Sequence, residues 1–128
     1  MPHAWIEYSK NIADEAEVGS LGKCVHDAMM ETGIFPLAGI RVRINRIDDY
    51  LVADCKPENA FVHLAIRIGE GRDMETKTAA ADLIFERLSA HLKPLADRTP
   101  LAVAFEMQEI RGPHSYKMNN LHRHLAGN

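Results

Sequence analysis

Phe61-Val62-His63-Leu64-Ala65-Ile66-Arg67-Ile68, running into Gly69-Glu70-Gly71-Arg72-Asp73, is the stretch whose reading decides the fold. Val62, Leu64, Ile66 and Ile68 alternate with Phe61, His63, Ala65 and Arg67, the period of a strand with two unlike faces. The glycines that follow mark a turn. Asp73 is a good helix N-cap, and Glu75 suits the positive end of the helix dipole. The apolar stripe Ala80, Leu83, Ile84, Leu88 and Leu92 predicts a helix to about Leu92, its exit bracketed by Pro94 and Pro100. Leu101, Val103, Phe105 and Met107 then alternate with Ala102, Ala104, Glu106 and Gln108 as a second strand. Residues 60–111 are therefore a β-α-β unit.

Working outward toward the N-terminus, the same plan recurs. Residues 2–8 read as a strand, broken at Lys10-Asn11. From Asp14 to Thr32, Val18, Leu21, Val25, Ala28 and Met29 recur at helical spacing, and Gly33 stands in the usual C-terminal capping place. Ile34–Gly39 is a turn-rich connection. Ile40, Val42 and Ile44 then alternate with Arg41, Arg43 and Asn45, a strand expected to continue through Leu51-Val52 before a loop at Lys56–Asn59. The expectation is one domain, 1–128, with pseudo-repeat halves at about 2–59 and 60–111. A polar tail, 112–128, carries a short helical segment around 119–125. Two such units imply a two-layer α/β (α+β) domain, a four-stranded mixed sheet with both helices on one face. Each crossover should be right-handed and join parallel strands. The other face would carry Trp5, Phe61, Ala65, Ala102 and Ala104, which argues for burial against another subunit.

At 128 residues the chain can bury roughly two-thirds of its unfolded surface. A formal charge of −3 argues against a nucleic-acid partner and supplies no field for a membrane. No apolar run approaches the length of a span, and no secretory leader is visible, which predicts a cytoplasmic protein. Cys24 and Cys55 lack metal or redox spacing and read as reduced thiols.

Several residues carry possible chemistry. Met1-Pro2 lets the initiator methionine be removed, leaving Pro2 a free secondary amine; many chains begin this way without consequence. Arg72 follows a Gly-x-Gly turn at a helix entrance, where it either holds a carboxylate bidentately or pairs with Asp73 or Glu75 on the surface. Arg41 and Arg43 share one strand face, either a solvated edge or a site for an anion at a subunit boundary. The histidines do not form a metal-ligand pattern: His122 and His124 would sit about 200° apart on a helix, and His3 and His63, on neighbouring strands, have no completing ligand. No nucleophile elbow is present, and Cys24, on the helix stripe, reads as a core residue.

Pro2 opening a strand, the paired β-α-β units, Gly33-Ile34-Phe35-Pro36-Leu37-Ala38-Gly39-Ile40-Arg41 and Gly69-Glu70-Gly71-Arg72 together resemble the tautomerase superfamily. Within it the chain resembles the 5-carboxymethyl-2-hydroxymuconate isomerase family nearly end to end, including Ala60-Phe61-Val62-His63 and Tyr116-Lys117-Met118-Asn119-Asn120-Leu121-His122. The resemblance implies a homotrimer whose sheets form a central barrel, with Pro2 as the proton-transferring base. It implies Arg41 and Arg72 as binders of substrate carboxylates. It also implies cofactor-free enol–keto tautomerisation of an unsaturated di- or tricarboxylate from aromatic catabolism, the homoprotocatechuate pathway. Two alternatives stand beside this: a related tautomerase or dehalogenase acting on another unsaturated acid, and a non-catalytic trimeric binding module.

Overall fold

The computed structural model describes residues 1–126. In chain order its strands and helices are β1 (His3–Ser9), α1 (Ala16–Gly19), α2 (Leu21–Glu31), β2 (Arg41–Ile47), β3 (Ala60–Gly69), α3 (Met74–Ala96), β4 (Leu101–Ile110) and α4 (Leu121–Ala126). The sheet order is β2-β1-β3-β4. β1 runs parallel to β2, and β3 parallel to β4; the central pair, β1 and β3, is antiparallel. This is the two-layer, mixed-sheet architecture expected from the tandem units.

Alternation explains which face is covered. Ala4, Ile6, Val62, Leu64, Ile66 and Ile68 are buried against Leu21, Val25 and Met29 of α2 and Ile84, Leu88 and Leu92 of α3. The opposite face carries His3, Trp5 and Glu7 beside Arg41, Arg43, Phe61, His63 and Ala65. Trp5, Phe61 and Ala65 are only half-buried there. Arg43 stacks its guanidinium 4.6 Å from the Trp5 ring centroid, and His63 bridges toward Glu106 at 3.3 Å and Glu7 at 4.0 Å.

Three boundaries differ from expectation, each for a tertiary or turn-chemistry reason. The predicted helix from Asp14 to Thr32 is two pieces. His91 of α3 donates to the Glu17 carbonyl at 2.8 Å and lies 3.1 Å from the Ser20 hydroxyl, and the chain re-aims at Ser20. The second strand stops at Ile47 rather than continuing through Leu51-Val52. There Asp48 accepts from Arg46 at 2.8 Å, and the Val52 carbonyl is taken by the Cys55 amide and the Asn59 side chain rather than by a ladder. Ala53 and Cys55 have φ of 54° and 67°, left-handed values that end extended structure.

The long helix continues past Leu92 to Ala96 with Pro94 inside it. Pro94 forfeits one bond, to the exposed Ala90 carbonyl, while burial of Leu92 and Leu95 holds the last turn. The remaining landmarks fall as expected. Asp73 accepts from the Thr76 amide at 2.8 Å, and Gly33 takes a φ of 75° just beyond α2. The tail helix lies at Leu121–Ala126, close to its predicted place. No helix among the described residues is long and apolar enough to cross a membrane.

Candidate active site

Strand directions gather distant parts of the chain at one end of the sheet. His3 pairs with Arg41 on one side and Arg67 on the other, so the start of β1 meets the start of β2 and the end of β3. The end of β4 arrives there too, because it runs parallel to β3. Pro2 is buried at this junction. Its carbonyl accepts from the Arg41 amide at 3.2 Å, which fixes the residue before the strand begins.

The turn ahead of β2 closes directly on Pro2. A Cβ on Gly39 would lie 3.3 Å from Pro2 Cδ and 3.5 Å from Pro36 Cγ, so glycine is what permits the approach. Arg41 leaves this turn with its Nη1 donating to the Gly39 carbonyl at 2.8 Å. Arg72 comes from the turn after β3, where Gly71 adopts a φ of 115°. Its guanidinium donates to the carbonyls of Gly69 at 3.2 Å and Ile34 at 2.9 Å, and lies 5.2 Å from the centroid of the buried Phe35 ring. Both arginines are thus oriented by main-chain carbonyls. Among the described residues neither has a carboxylate within ion-pair distance. The surface pairing of Arg72 with Asp73 or Glu75 is not what the structure shows.

A cavity of about 550 Å³ opens at this end, lined by Met1, His3, Arg41, Glu70, Lys117 and neighbouring residues. The α-amine, here on Met1, is held below its usual 8.0, first by burial and then by Lys117, Arg72 and Arg41. His3 is likewise held below 6.5, by burial first, then by Arg43 and Arg41. The Arg43 guanidinium lies 3.3 Å from His3 Nδ1, which makes that nitrogen the acceptor. The structure therefore separates the two arginines of β2: Arg41 faces the cavity, whereas Arg43 is spent on His3 and Trp5.

Of the residues singled out from sequence, Arg41 lines the cavity, Pro2 is buried beside it, and Arg72, though not in the lining, lies close enough to bear on the amine. His3 also reaches the cavity, though as a neutral neighbour of Arg43. His63 lies four positions along β1 from it, opposite Glu7. His122 and His124 stay exposed on α4, and among the described residues no group of three His, Cys, Asp or Glu side chains is placed to hold a metal ion. Cys24 is half-buried, its thiol pushed up by burial first and then by Asp27. Lys117, Glu70, Gly39 and Phe35 were not legible as site residues. Lys117 in particular sits in a polar tail whose spacing distinguishes no position, and only the path of the tail brings it here.

The family model for 5-carboxymethyl-2-hydroxymuconate isomerase matches residues 2–125. A 5-carboxymethyl-2-hydroxymuconate Delta-isomerase of Escherichia coli is 38% identical over 122 residues, covering 95% of this chain and 97% of that one. The crystal structure of a 5-carboxymethyl-2-hydroxymuconate isomerase from Deinococcus radiodurans R1 superposes with a TM-score of 0.88 at 32% identity, covering 97% and 93% of the two chains. A fused 4-OT described as a symmetric trimer shares the fold more distantly, at a TM-score of 0.68 and 16% identity over 91% of this chain and 93% of that one. Match across nearly the whole chain, in sequence and in backbone, places this protein in the 5-carboxymethyl-2-hydroxymuconate isomerase family.

Proposed function

We propose that this isomerase tautomerises 5-carboxymethyl-2-hydroxymuconate, with the secondary amine of Pro2 carrying the proton and Arg41 and Arg72 holding substrate carboxylates. The observation that carries the reading is the placement of the N-terminal amine. It is partly buried, and Lys117, Arg72 and Arg41 depress its basicity. A base working near neutrality must be unprotonated there. A free α-amine titrates at about 7.7–8.0 and a prolyl amine intrinsically higher, so burial and neighbouring cations act in the needed direction. Removal of Met1 puts the amine on Pro2, which the Arg41 amide and the Gly39 turn already fix in place.

The chemistry balances without any redox partner. The enol hydroxyl of the 2-hydroxydiene gives up its proton and C2=O forms. The remaining double bond shifts to C3=C4, and C5 gains the proton. Negative charge spreads from the enolate oxygen along the diene in between, and guanidinium groups aimed at the carboxylate end stabilise it. The substrate supplies its own electron sink, so the residues need only bind, orient and move one proton.

The face carrying Trp5, Phe61 and Ala65 supports assembly as a homotrimer with that face turned inward, each cavity then lying near a subunit boundary. Light scattering at micromolar concentration should return three times the 14.3 kDa chain mass; a stable monomer would remove the barrel. The unpaired thiols Cys24 and Cys55 suit a reducing compartment such as the cytoplasm.

The test of the amine is a matched pair of proteins, one processed to Pro2 and one proven by intact mass to retain Met1. Retained Met1 turns the Pro2 nitrogen into an amide with no basic lone pair. Turnover of the dienol should fall by about 10²–10⁴-fold or more, with oligomeric state unchanged. Full activity with Met1 in place would take Pro2 out of the mechanism.

A further inference from the structure

The tail between β4 and α4 crosses the mouth of the cavity as a strap pinned at both ends. At its start, the Gly112 amide donates to Glu70 Oε1 at 3.0 Å, anchoring it to the turn that carries Arg72. A Cβ on Gly112 would meet that oxygen at 2.9 Å, so the contact is close. At its far end, Asn119 Nδ2 donates to the Ala38 carbonyl at 3.0 Å, anchoring it to the turn that carries Gly39 and Arg41. Asn119 Oδ1 in turn accepts from the Leu121 amide at 2.8 Å, so its side chain is committed at both ends. Lys117 lies between the anchors and lines the same cavity as Arg41.

The middle of the strap makes few commitments of its own. Tyr116 and Met118, on either side of Lys117, are 85% and 98% exposed. Among the described residues the Lys117 ammonium has no carboxylate partner within 4 Å, and the one carboxylate lining the cavity, Glu70, is engaged by the Gly112 amide. Two pinned ends hold an unpaired cation over a cavity that Arg41 already lines, with Arg72 bonded to the Gly69 carbonyl at its edge. Arginine forks suit carboxylates held in one fixed plane; a lysine on a flexible stem suits a carboxylate on a flexible arm.

We propose that Lys117, positioned by the strap from Gly112 to Asn119, is the specificity residue for a third carboxylate, the one on the substrate's 5-carboxymethyl arm. This rests on the function proposed above and deepens it: Arg41 and Arg72 take the two carboxylates of the muconate backbone, and Lys117 makes the site selective for a tricarboxylate. The depression of the amine by Lys117 fits the same location, because a cation close enough to lower the base is close enough to meet a substrate held against it. It also supplies the rival explanation, that Lys117 only tunes the amine.

The experiment separates the two by comparing kcat/KM for 5-carboxymethyl-2-hydroxymuconate and for 2-hydroxymuconate, the same dienol without the carboxymethyl arm, across a full pH profile. In Lys117→Gln the tricarboxylate-to-dicarboxylate ratio should fall about tenfold on the pH plateau, mostly through KM, as expected for one lost charge-assisted contact. Lys117→Arg, which keeps the charge, should restore most of the ratio. Asn119→Ala, which leaves Lys117 intact but frees the strap, should move the ratio in the same direction. An equal fall for both substrates, or a shifted basic limb with an unchanged ratio, would overturn the proposal and leave Lys117 as a tuning residue. No change at all would overturn both roles. A wild-type protein that turns over neither dienol would fail the reaction itself, an outcome distinct from any of these.

Discussion

The two ends of this sheet are built by the same duplicated plan, yet they carry opposite chemistry. At one end the Arg41 amide donates to the Pro2 carbonyl at 3.2 Å; at the other the Ala60 amide donates to the Pro100 carbonyl at 2.9 Å. Around Ala60 the polar groups satisfy one another. Asn11 donates to the carbonyls of Pro57 and Asn59 at 3.0 and 2.7 Å, Ser9 donates to Asn11 at 2.7 Å, and the Phe61 amide donates to Ser9 at 3.0 Å. Around Pro2, Arg41, Arg72 and Lys117 bring three positive charges to one amine with no carboxylate paired to any of them among the described residues. One end is a stitched seam. The other withholds its charge pairing, the arrangement expected of the carboxylate site proposed there.

The contrast is broken most decisively at the cationic end. Arg41→Ala or Arg72→Ala should each lower kcat/KM toward the dienol by about 10- to 150-fold, since a charge-assisted hydrogen bond contributes roughly 1.5–3 kcal/mol. Both variants should stay folded, with about 1–2 kcal/mol lost in thermal unfolding, because the guanidiniums bond part-buried turn carbonyls and Arg72 also rests on the Phe35 ring. Arg41→Ala also has a pH signature. With the unprotonated amine as the proposed base, kcat/KM should rise with pH through the amine's pKa. Burial first, then Lys117, Arg72 and Arg41, hold the amine's basicity down, so removing Arg41 should move the limb to higher pH. A limb that stays in place would detach Arg41 from the amine.

Asn11→Ala at the stitched end should behave in the reverse way. It removes two donated bonds and the acceptor for the buried Ser9 hydroxyl, costing about 1–2 kcal/mol in urea unfolding. Activity per folded site should be unchanged. A large loss of kcat would mean that the two ends are coupled and that the contrast is too simple.

The finest test is Gly39→Ala. The added methyl meets Pro2 Cδ at 3.3 Å, tighter than an ordinary contact, so the ring must give by a few tenths of an ångström. A misplacement of that size should lower kcat several-fold while leaving KM nearly untouched, about what a slight loss of reacting geometry costs. An undisturbed kcat would show that the turn does not position the base.

The outline of the fold was legible because burial has a period. Val62, Leu64, Ile66 and Ile68 predict their strand and its covered face, and Val18, Leu21, Val25, Ala28 and Met29 predict a covered stripe that is buried throughout. Pro2, Arg41 and Arg72 were legible as candidates from the turns beside them and from family resemblance. Two of the three misplaced boundaries turn on partners outside the expected element. His91 breaks the first helix from 71 positions away in sequence, as measured to Ser20, and Asn59 captures the Val52 carbonyl that a longer strand would have needed.

By itself, then, the sequence determined what repeats: strand and helix periods, caps at Asp73 and Gly33, and the order of two β-α-β units. Those depend on interactions within a few residues and on which side chains water excludes. Only the tertiary structure decided what meets. Antiparallel pairing of β1 with β3 brings Gly69–Arg72 to Pro2, and the anchors at Glu70 and Asn119 bring Lys117 there from the end of the chain. Such contacts are made between residues with no local pattern in common, so their chemistry becomes visible only once the chain has closed around it.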